Sequence, residues 1–258
     1  MRLGQRHFLS SWTQLSNSLR TTSLSKYLTQ LFLKAPEKFG ILVALFGVLV
    51  LTPDTLVIRI SGLERWPLMG WRGLLMGIAS LIIWRTLLAK NPSREWRSLF
   101  SWQGILVIMA FSMNSATFTL GIVETSASVV LTAVATMPVF AAAISFLMLR
   151  EKQGWLGWLA IFVSMCGVTI VVMDGNNAFA SPEGSVKLGA MFGVLTAIGL
   201  AFTFTMARKY QQLSIFPAAA VGAMISGFIG LWLSDMSAIT EAPIWPVLTM
   251  GLIILPIS

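Results

Sequence analysis

Charged residues are scarce in this chain, and their scarcity limits the kind of protein it can be. Only 11% of the 258 residues are charged, whereas 56% are hydrophobic. A soluble domain usually carries about 25% charged residues, so this chain has too little polar surface to face water on all sides. The composition excludes a soluble enzyme and predicts an integral membrane protein.

Cysteine and histidine are almost absent as well. The single cysteine, Cys166, has no partner for an intrachain disulfide, and the single histidine, His7, lies in the N-terminal tail. These counts exclude a His-ligated metal site and a His-based catalytic triad within the membrane. The carboxylates are isolated along the chain, whereas an intramembrane enzyme needs clustered acids or a nucleophile with its base. We therefore expect no enzymatic activity, no cofactor and no metal.

Long apolar segments are what the sequence has in abundance. Each has about 20 residues, the length with which an α-helix crosses a roughly 30 Å hydrocarbon layer. The pattern predicts an all-α multi-helix transmembrane bundle. Its eight predicted segments lie at residues 40–58, 66–88, 102–121, 125–148, 154–173, 188–207, 215–234 and 243–258.

Lysine and arginine are concentrated in alternate connections between these segments. The connections that follow segments two, four and six are positive, and so is the N-terminal tail. Cytoplasmic loops carry such an excess of Lys and Arg. The chain is therefore predicted to be a multi-pass protein of the cell (inner) membrane with a cytoplasmic N-terminus. The net charge of +8 is explained by helix ends, and we expect no nucleic-acid partner.

Residues 1–38 form a basic tail ahead of the first apolar segment. Within it, Phe8, Trp12, Leu15 and Leu19 are spaced as one face of a helix. Three interpretations stay open: a partly disordered cytoplasmic tail, an interfacial helix on anionic lipid, and a basic, Ser-rich transit peptide.

Residues 40–173 resemble the EamA family of drug/metabolite transporters. The first repeat of that family typically shows an early arginine in helix two, a Pro-Val-Phe in helix four, a Glu-Lys turn and a late Gly-Val in helix five. The matching residues occur in the same order here: Arg72, Pro138-Val139-Phe140, Glu151-Lys152 and Gly167-Val168.

The resemblance implies ten helices in two inverted five-helix repeats, and it implies amino acids, metabolites or drugs as substrates. An odd number of crossings per repeat gives the second repeat the opposite orientation. Residues 39–174 would form the first repeat, and residues 187–258 an incomplete second repeat of three helices, as in a truncated transporter. We expect a permease or exporter that works by alternating access. The alternative is a non-transporting membrane partner or an inactive transporter fragment.

Asp54 and Arg72 are the most informative charges. From the segment map, each lies roughly 9 Å from the outer edge of the membrane, on consecutive antiparallel helices. Equal depth predicts an ion pair. A charge at this depth indicates a gate or substrate site facing a cavity, although a structural pair and an Arg72 side chain extended toward the headgroups are alternatives. Asp54 is also the best candidate for a proton-coupling carboxylate.

Polar side chains in segments three and four complete the candidate substrate site. Asn114, Thr119 and Thr136 are predicted to bind substrate together with Asp54 and Arg72. The alternative is that these groups form hydrogen bonds between helices. The expected partners are a small-molecule substrate, the lipid bilayer and a second copy of the chain in a homodimer.

Overall fold

Helices make up nearly all of the described chain. The computed structural model describes residues 53–89, 91–150, 154–174, 185–235 and 244–254, with isolated helical residues between 42 and 50. The predicted tail at residues 1–38 and the Glu151-Lys152 turn lie outside these residues. The helices are α1 Asp54–Ser61, α2 Arg65–Ile83, α3 Pro92–Leu99, α4 Trp102–Glu124, α5 Ala127–Val134, α6 Met137–Leu149, α7 Trp155–Asp174, α8 Val186–Lys209, α9 Ile215–Trp232 and α10 Ile244–Leu248. Two π-helical segments, Trp84–Leu88 and Thr249–Ile254, continue α2 and α10.

Within the described residues, five helical stretches are long and apolar enough to cross a membrane. They are Arg65–Leu88, Trp102–Glu124, Ala127–Leu149, Val186–Lys209 and Ile215–Trp232. Each coincides with a predicted segment to within a few residues. Segment five coincides with α7, and segments one and eight are described over part of their length by α1 and α10. The predicted all-α membrane bundle is confirmed.

The fourth segment is interrupted near its middle. Pro138 is the second residue of α6, and the preceding turn at Ala135 and Thr136 separates α6 from α5. Proline has no backbone N–H and its ring clashes with the carbonyl four residues earlier, so an unbroken helix is disfavoured here. The hydroxyl of Thr136 donates to the carbonyl of Ala133 at 2.6 Å. The Thr136 side chain therefore supplies a hydrogen bond to one of the backbone carbonyls next to the interruption.

Helix α3 was not predicted. It lies between the second and third segments, and Pro92 is its first residue. Glu95 reaches back to accept from the backbone N–H of Asn91 at 3.2 Å, as the acid of a capping box does. A proline followed by a glutamate within the first turn is a helix-start signal that the search for apolar segments missed.

The directions of packed helices agree with a chain that crosses at every segment. Helix α9 runs antiparallel to α2, because Gly70 lies beside Leu231 and Gly77 beside Ala220. Helix α4 runs antiparallel to α8, because Thr117 lies beside Thr196 and Asn114 beside Gly199. It runs parallel to α9, because Ser115 lies beside Ser226 and Phe111 beside Gly222. The alternation deduced from loop charge predicts these relative directions.

Glycines bring α2 and α9 into backbone contact. A Cβ atom on Gly73 would lie 2.6 Å from the carbonyl oxygen of Ala223 and 2.7 Å from Cα of Gly227. Such approach needs residues without side chains on both helices, as small-xxx-small spacing provides. We call this contact, formed by Gly70, Gly73, Gly77, Gly227 and Gly230, the glycine seam.

Two apolar clusters occupy opposite ends of the bundle. One contains Val57, Ile58, Leu68, Ile122, Val130 and Met250. The other contains Leu99, Val107, Met206 and Ala218. The second lies at the basic end, which we define by the basic residues Arg85, Arg94, Arg97, Arg150, Arg208 and Lys209. The candidate site lies toward the first cluster.

Candidate functional site

Asp54 is the first residue of α1 and is almost completely buried, with 1% of its surface exposed. Pro53 precedes it in a turn, so the helix described here starts at the carboxylate. A negative charge in the first turn is stabilised by the unpaired N–H groups of the helix N-terminus. The adjacent proline and the acid therefore place a buried anion at a helix end.

Arg72 provides the opposite charge from the second turn of α2. Its Nη2 lies 2.7 Å from Oδ2 of Asp54, and both side chains are buried. Its Nη1 donates to the hydroxyl of Thr119 at 3.0 Å. The structure thus has the ion pair that equal depth predicts, and it adds a hydroxyl from α4. Three helices converge on one guanidinium.

Phe118 also contributes to this site and was missed by the sequence analysis. The guanidinium carbon of Arg72 lies 5.0 Å from the centre of the Phe118 ring. A cation over an aromatic face is attracted by the ring quadrupole, and the attraction is stronger away from water. The sequence held no signal for this contact, because nothing distinguishes Phe118 from the other phenylalanines among the 16 in this chain.

The ion pair is incompletely satisfied. Among the described residues, Oδ1 of Asp54 and Nε of Arg72 are both buried without a hydrogen-bond partner. Arginine has five N–H donors and pairs best with a carboxylate through two parallel bonds. Here one direct bond joins the two side chains, so one acceptor on Asp54 and one donor on Arg72 are left over in the described part of the chain. A buried polar atom without a partner costs about 1–3 kcal/mol.

The structure does not bring Asn114 and Thr136 to Arg72. Asn114 packs against α8, where its Cβ lies 3.2 Å from the position a Cβ would take on Gly199. Its Oδ1 is buried and has no partner in the described part of the chain. Thr136 lies at the interruption between α5 and α6, where its hydroxyl donates to the carbonyl of Ala133. Their role in substrate binding remains a prediction.

Two further hydroxyls of α4 form hydrogen bonds between helices. Thr117 and Thr196 of α8 lie 2.8 Å apart at their hydroxyls. Ser226 of α9 donates to the hydroxyl of Ser115 at 2.9 Å. These contacts match the alternative interpretation of the polar run in segment three, in which hydroxyls join helices. Thr119 is the member of that run that faces Arg72.

A second ion pair lies nearer the surface, at the end opposite the basic end. Nη1 of Arg65 lies 2.9 Å from Oε1 of Glu124, and the arginine side chain is 52% exposed. Helix α4 ends at Glu124, and Ser126 caps the next helix. A carboxylate at a helix C-terminus is unfavourable, and Arg65 offsets it.

The family model of the EamA-like transporter family matches residues 38–173, more than half of the 258-residue chain. The chain belongs to the EamA-like transporter family. The resemblance carried by Arg72 and Pro138 is thereby confirmed. No curated protein and no solved structure gives a comparable match.

The EamA match covers every candidate site residue. It runs from before α1 to the end of α7 and includes Asp54, Arg72 and Thr119. Helices α8 to α10 lie outside it, although they pack against α4, α2 and α1. As an EamA-like protein with membrane-spanning helices, the chain is a membrane transporter of the drug/metabolite type.

Proposed function

We propose that this EamA protein carries small metabolites or drugs across the membrane by alternating access, as a permease or exporter without enzymatic activity. Asp54 and Arg72 bind the substrate, and Thr119 orients the guanidinium. The observation that carries the proposal is the buried ion pair, whose Oδ1 acceptor and Nε donor have no partner within the described ranges of the chain. Ionisable groups at membrane depth usually belong to a substrate or ion pathway.

Helix pairing supports an inverted-repeat architecture, with residues 39–174 and 187–258 as the two units. In the two units, α1 would correspond to α8, α2 to α9 and α4 to α10. When each helix is replaced by its counterpart, one set of observed helix contacts turns into another. The pair α4–α9 becomes α10–α2, the pair α4–α8 becomes α10–α1, and α2–α9 becomes itself. Such exchange is what a pseudo-two-fold axis between inverted repeats produces, and rocking of one repeat against the other gives alternating access.

The charges at the helix ends support an orientation in the cell (inner) membrane. Arg85 and Arg150 follow helices that end at the basic end and Arg208 lies in the last turn of α8 there, whereas Arg65 and Lys187 lie in the first turns of helices at the opposite end. The positive-inside rule then puts the basic end and the N-terminus in the cytoplasm. A protease-cleavable N-terminal tag tests this: cleavage in intact cells, without permeabilisation, would contradict it.

Asp54 also provides a route for proton coupling. Oδ2 of its carboxylate is paired with Arg72, and its Oδ1 is buried without a hydrogen-bond partner among the described residues. A substrate anion that binds Arg72 would replace the Asp54 carboxylate there, and a proton on Asp54 would neutralise the displaced charge. Exchange of this kind links substrate binding to proton uptake, because an unpaired buried charge is costly.

The test of the carrier is uptake into liposomes that contain the purified chain. The probes are a radiolabelled amino-acid mixture and the fluorescent cation ethidium, and empty liposomes give the background. We expect uptake by the wild-type chain and a loss of at least about tenfold, or about 1.4 kcal/mol, in Arg72→Lys and Asp54→Glu. Lysine cannot reproduce the donor fork of arginine.

Arg65→Lys is the matched control, since Arg65 lies on the same helix and is also ion-paired. We expect it to retain uptake. Full uptake by monodisperse Arg72→Lys and Asp54→Glu proteins would refute the substrate-binding role of these two residues. A wild-type chain that transports neither probe would contradict the proposed carrier function.

A further inference from the structure

Helix α3 connects two parts of the bundle at the basic end through one carboxylate. Oε2 of Glu95 accepts from the indole N–H of Trp84 at 2.7 Å and from the hydroxyl of Ser214 at 3.1 Å. Trp84 lies at the end of α2 and is buried, and Ser214 immediately precedes α9. Hydrogen bonds to an ionised carboxylate are roughly twice as strong as neutral ones. Glu95 therefore ties α2 and α9 together at this end.

Apolar contacts hold the other end of α3 in place. Leu99, its last residue, is 3% exposed and belongs to the cluster with Val107 of α4, Met206 of α8 and Ala218 of α9. The start of α4 fits closely beneath it, because a Cβ on Gly104 would lie 2.5 Å from the carbonyl oxygen of Ser98. Helix α3 thus covers the basic end of α4, α8 and α9.

These contacts cross between the two units that the helix pairing relates. Glu95 and Leu99 belong to the first unit, whereas Ser214, Met206 and Ala218 belong to the second. A second polar contact crosses at the same end, where Nζ of Lys209 donates to the carbonyl of Met148 at 3.1 Å. Rocking that opens the basic end must separate the units there, and the Glu95–Ser214 bond must then break.

We propose that α3 is the gate of the basic end and that Glu95 is its latch. In the structure described here the latch is engaged. Release of Ser214 from Glu95 allows Leu99 to leave its cluster, which exposes the ends of α8 and α9 to water. This inference rests on alternating access, and it assigns Glu95 as a positioning residue that controls opening and does not touch substrate.

The test measures opening without any substrate. Ala218 is completely buried in the cluster under Leu99, so a cysteine at position 218 reports whether α3 has lifted. The protein carries Ala218→Cys with Cys166→Ser, is embedded in lipid nanodiscs that leave both faces accessible, and is labelled with a water-soluble maleimide. We expect slow labelling with Glu95 present and labelling at least about tenfold faster in Glu95→Ala and in Ser214→Ala, a change worth about 1.4 kcal/mol.

Two controls separate gating from general loosening. Glu64→Gln changes an exposed glutamate at the opposite end of α2 and should leave labelling unchanged. Ala223→Cys reports on a buried position farther along α9 and should stay slow in the Glu95→Ala background. Unchanged labelling at position 218, or equal acceleration at positions 218 and 223, would overturn the latch.

Liposome uptake distinguishes this inference from the proposed function. If the wild-type chain moves substrate and Glu95→Ala neither changes the uptake rate nor accelerates labelling, the latch is wrong and the carrier stands. If the wild-type chain transports neither probe but labelling responds as expected, α3 does move, yet the proposed carrier function is wrong. The gating role of α3 is then refuted together with the carrier function.

Discussion

Removing one partner of the Asp54–Arg72 pair should destabilise the fold strongly, and removing both should cost less. Arg72→Gln leaves a buried carboxylate and Asp54→Asn leaves a buried guanidinium, each with almost no access to water. Breaking a buried pair in this way costs about 3–5 kcal/mol. At about 2–4 °C of Tm per kcal/mol for a protein of this size, each single variant should melt roughly 6–20 °C lower.

The double variant should melt above both single variants, because it carries neither unpaired charge. The Arg65–Glu124 pair gives a matched cycle, since Arg65 is half exposed and exposed pairs are worth about 0–1 kcal/mol. The assay is the monodisperse fraction that survives heating in detergent. The reasoning is refuted if Arg72→Gln and Asp54→Asn lower Tm no more than Arg65→Gln does, or if the double variant is the least stable of the set.

Three further results are expected. Gly73→Ala should lower Tm by an amount equal to about 1–3 kcal/mol of overpacking, because its methyl group would meet the backbone of α9. Gly167→Ala should not lower Tm, because its methyl group would meet no atom of another described helix within 4 Å; equal Tm values for the two variants would contradict the glycine seam. Uptake by the wild-type chain should rise with an imposed pH gradient, whereas the residual uptake by Asp54→Asn should not change with the gradient. A wild-type rate that is indifferent to the gradient excludes Asp54 as the coupling group. Thr117→Val with Thr196→Val should cost less than about 2 kcal/mol and spare uptake, since this pair joins helices; loss of uptake in the folded double variant would assign the pair to the substrate path.

The bundle was predictable from the sequence because the membrane imposes a helix length and a charge asymmetry. Both constraints act on single segments, so no knowledge of packing is needed. The Asp54–Arg72 pair was predictable for a related reason: consecutive antiparallel helices bring groups of equal depth to the same level. The depth of a residue in the membrane follows from the number of residues between it and the end of its helix.

Rotation of each helix about its own axis was not predictable in the same way. Asn114 and Thr119 lie about 7.5 Å apart along one helix, and they face α8 and Arg72 respectively. Helical phase shows that they point apart, but it does not show which neighbour each one meets. Glu95 was missed for a different reason, because helix α3 is too short and too polar to be found among membrane-spanning segments. Its partner Ser214 is 119 residues away.

The alternating access proposed above gives the glycine seam a mechanical consequence. Where two helices interdigitate long side chains, turning one of them forces rotamers on both to rearrange. Between Gly73 of α2 and Gly227 of α9 the touching surfaces are smooth main chain, which has no rotamers to rearrange. This contact is therefore suited to act as a pivot, and the side chains of Leu231 and Met224, which pack against Gly70 and Gly77 on either side of it, are the ones that must adjust in a small turn. The main resistance to such a turn would then come from the polar contacts at the basic end, Glu95–Ser214 and Lys209–Met148.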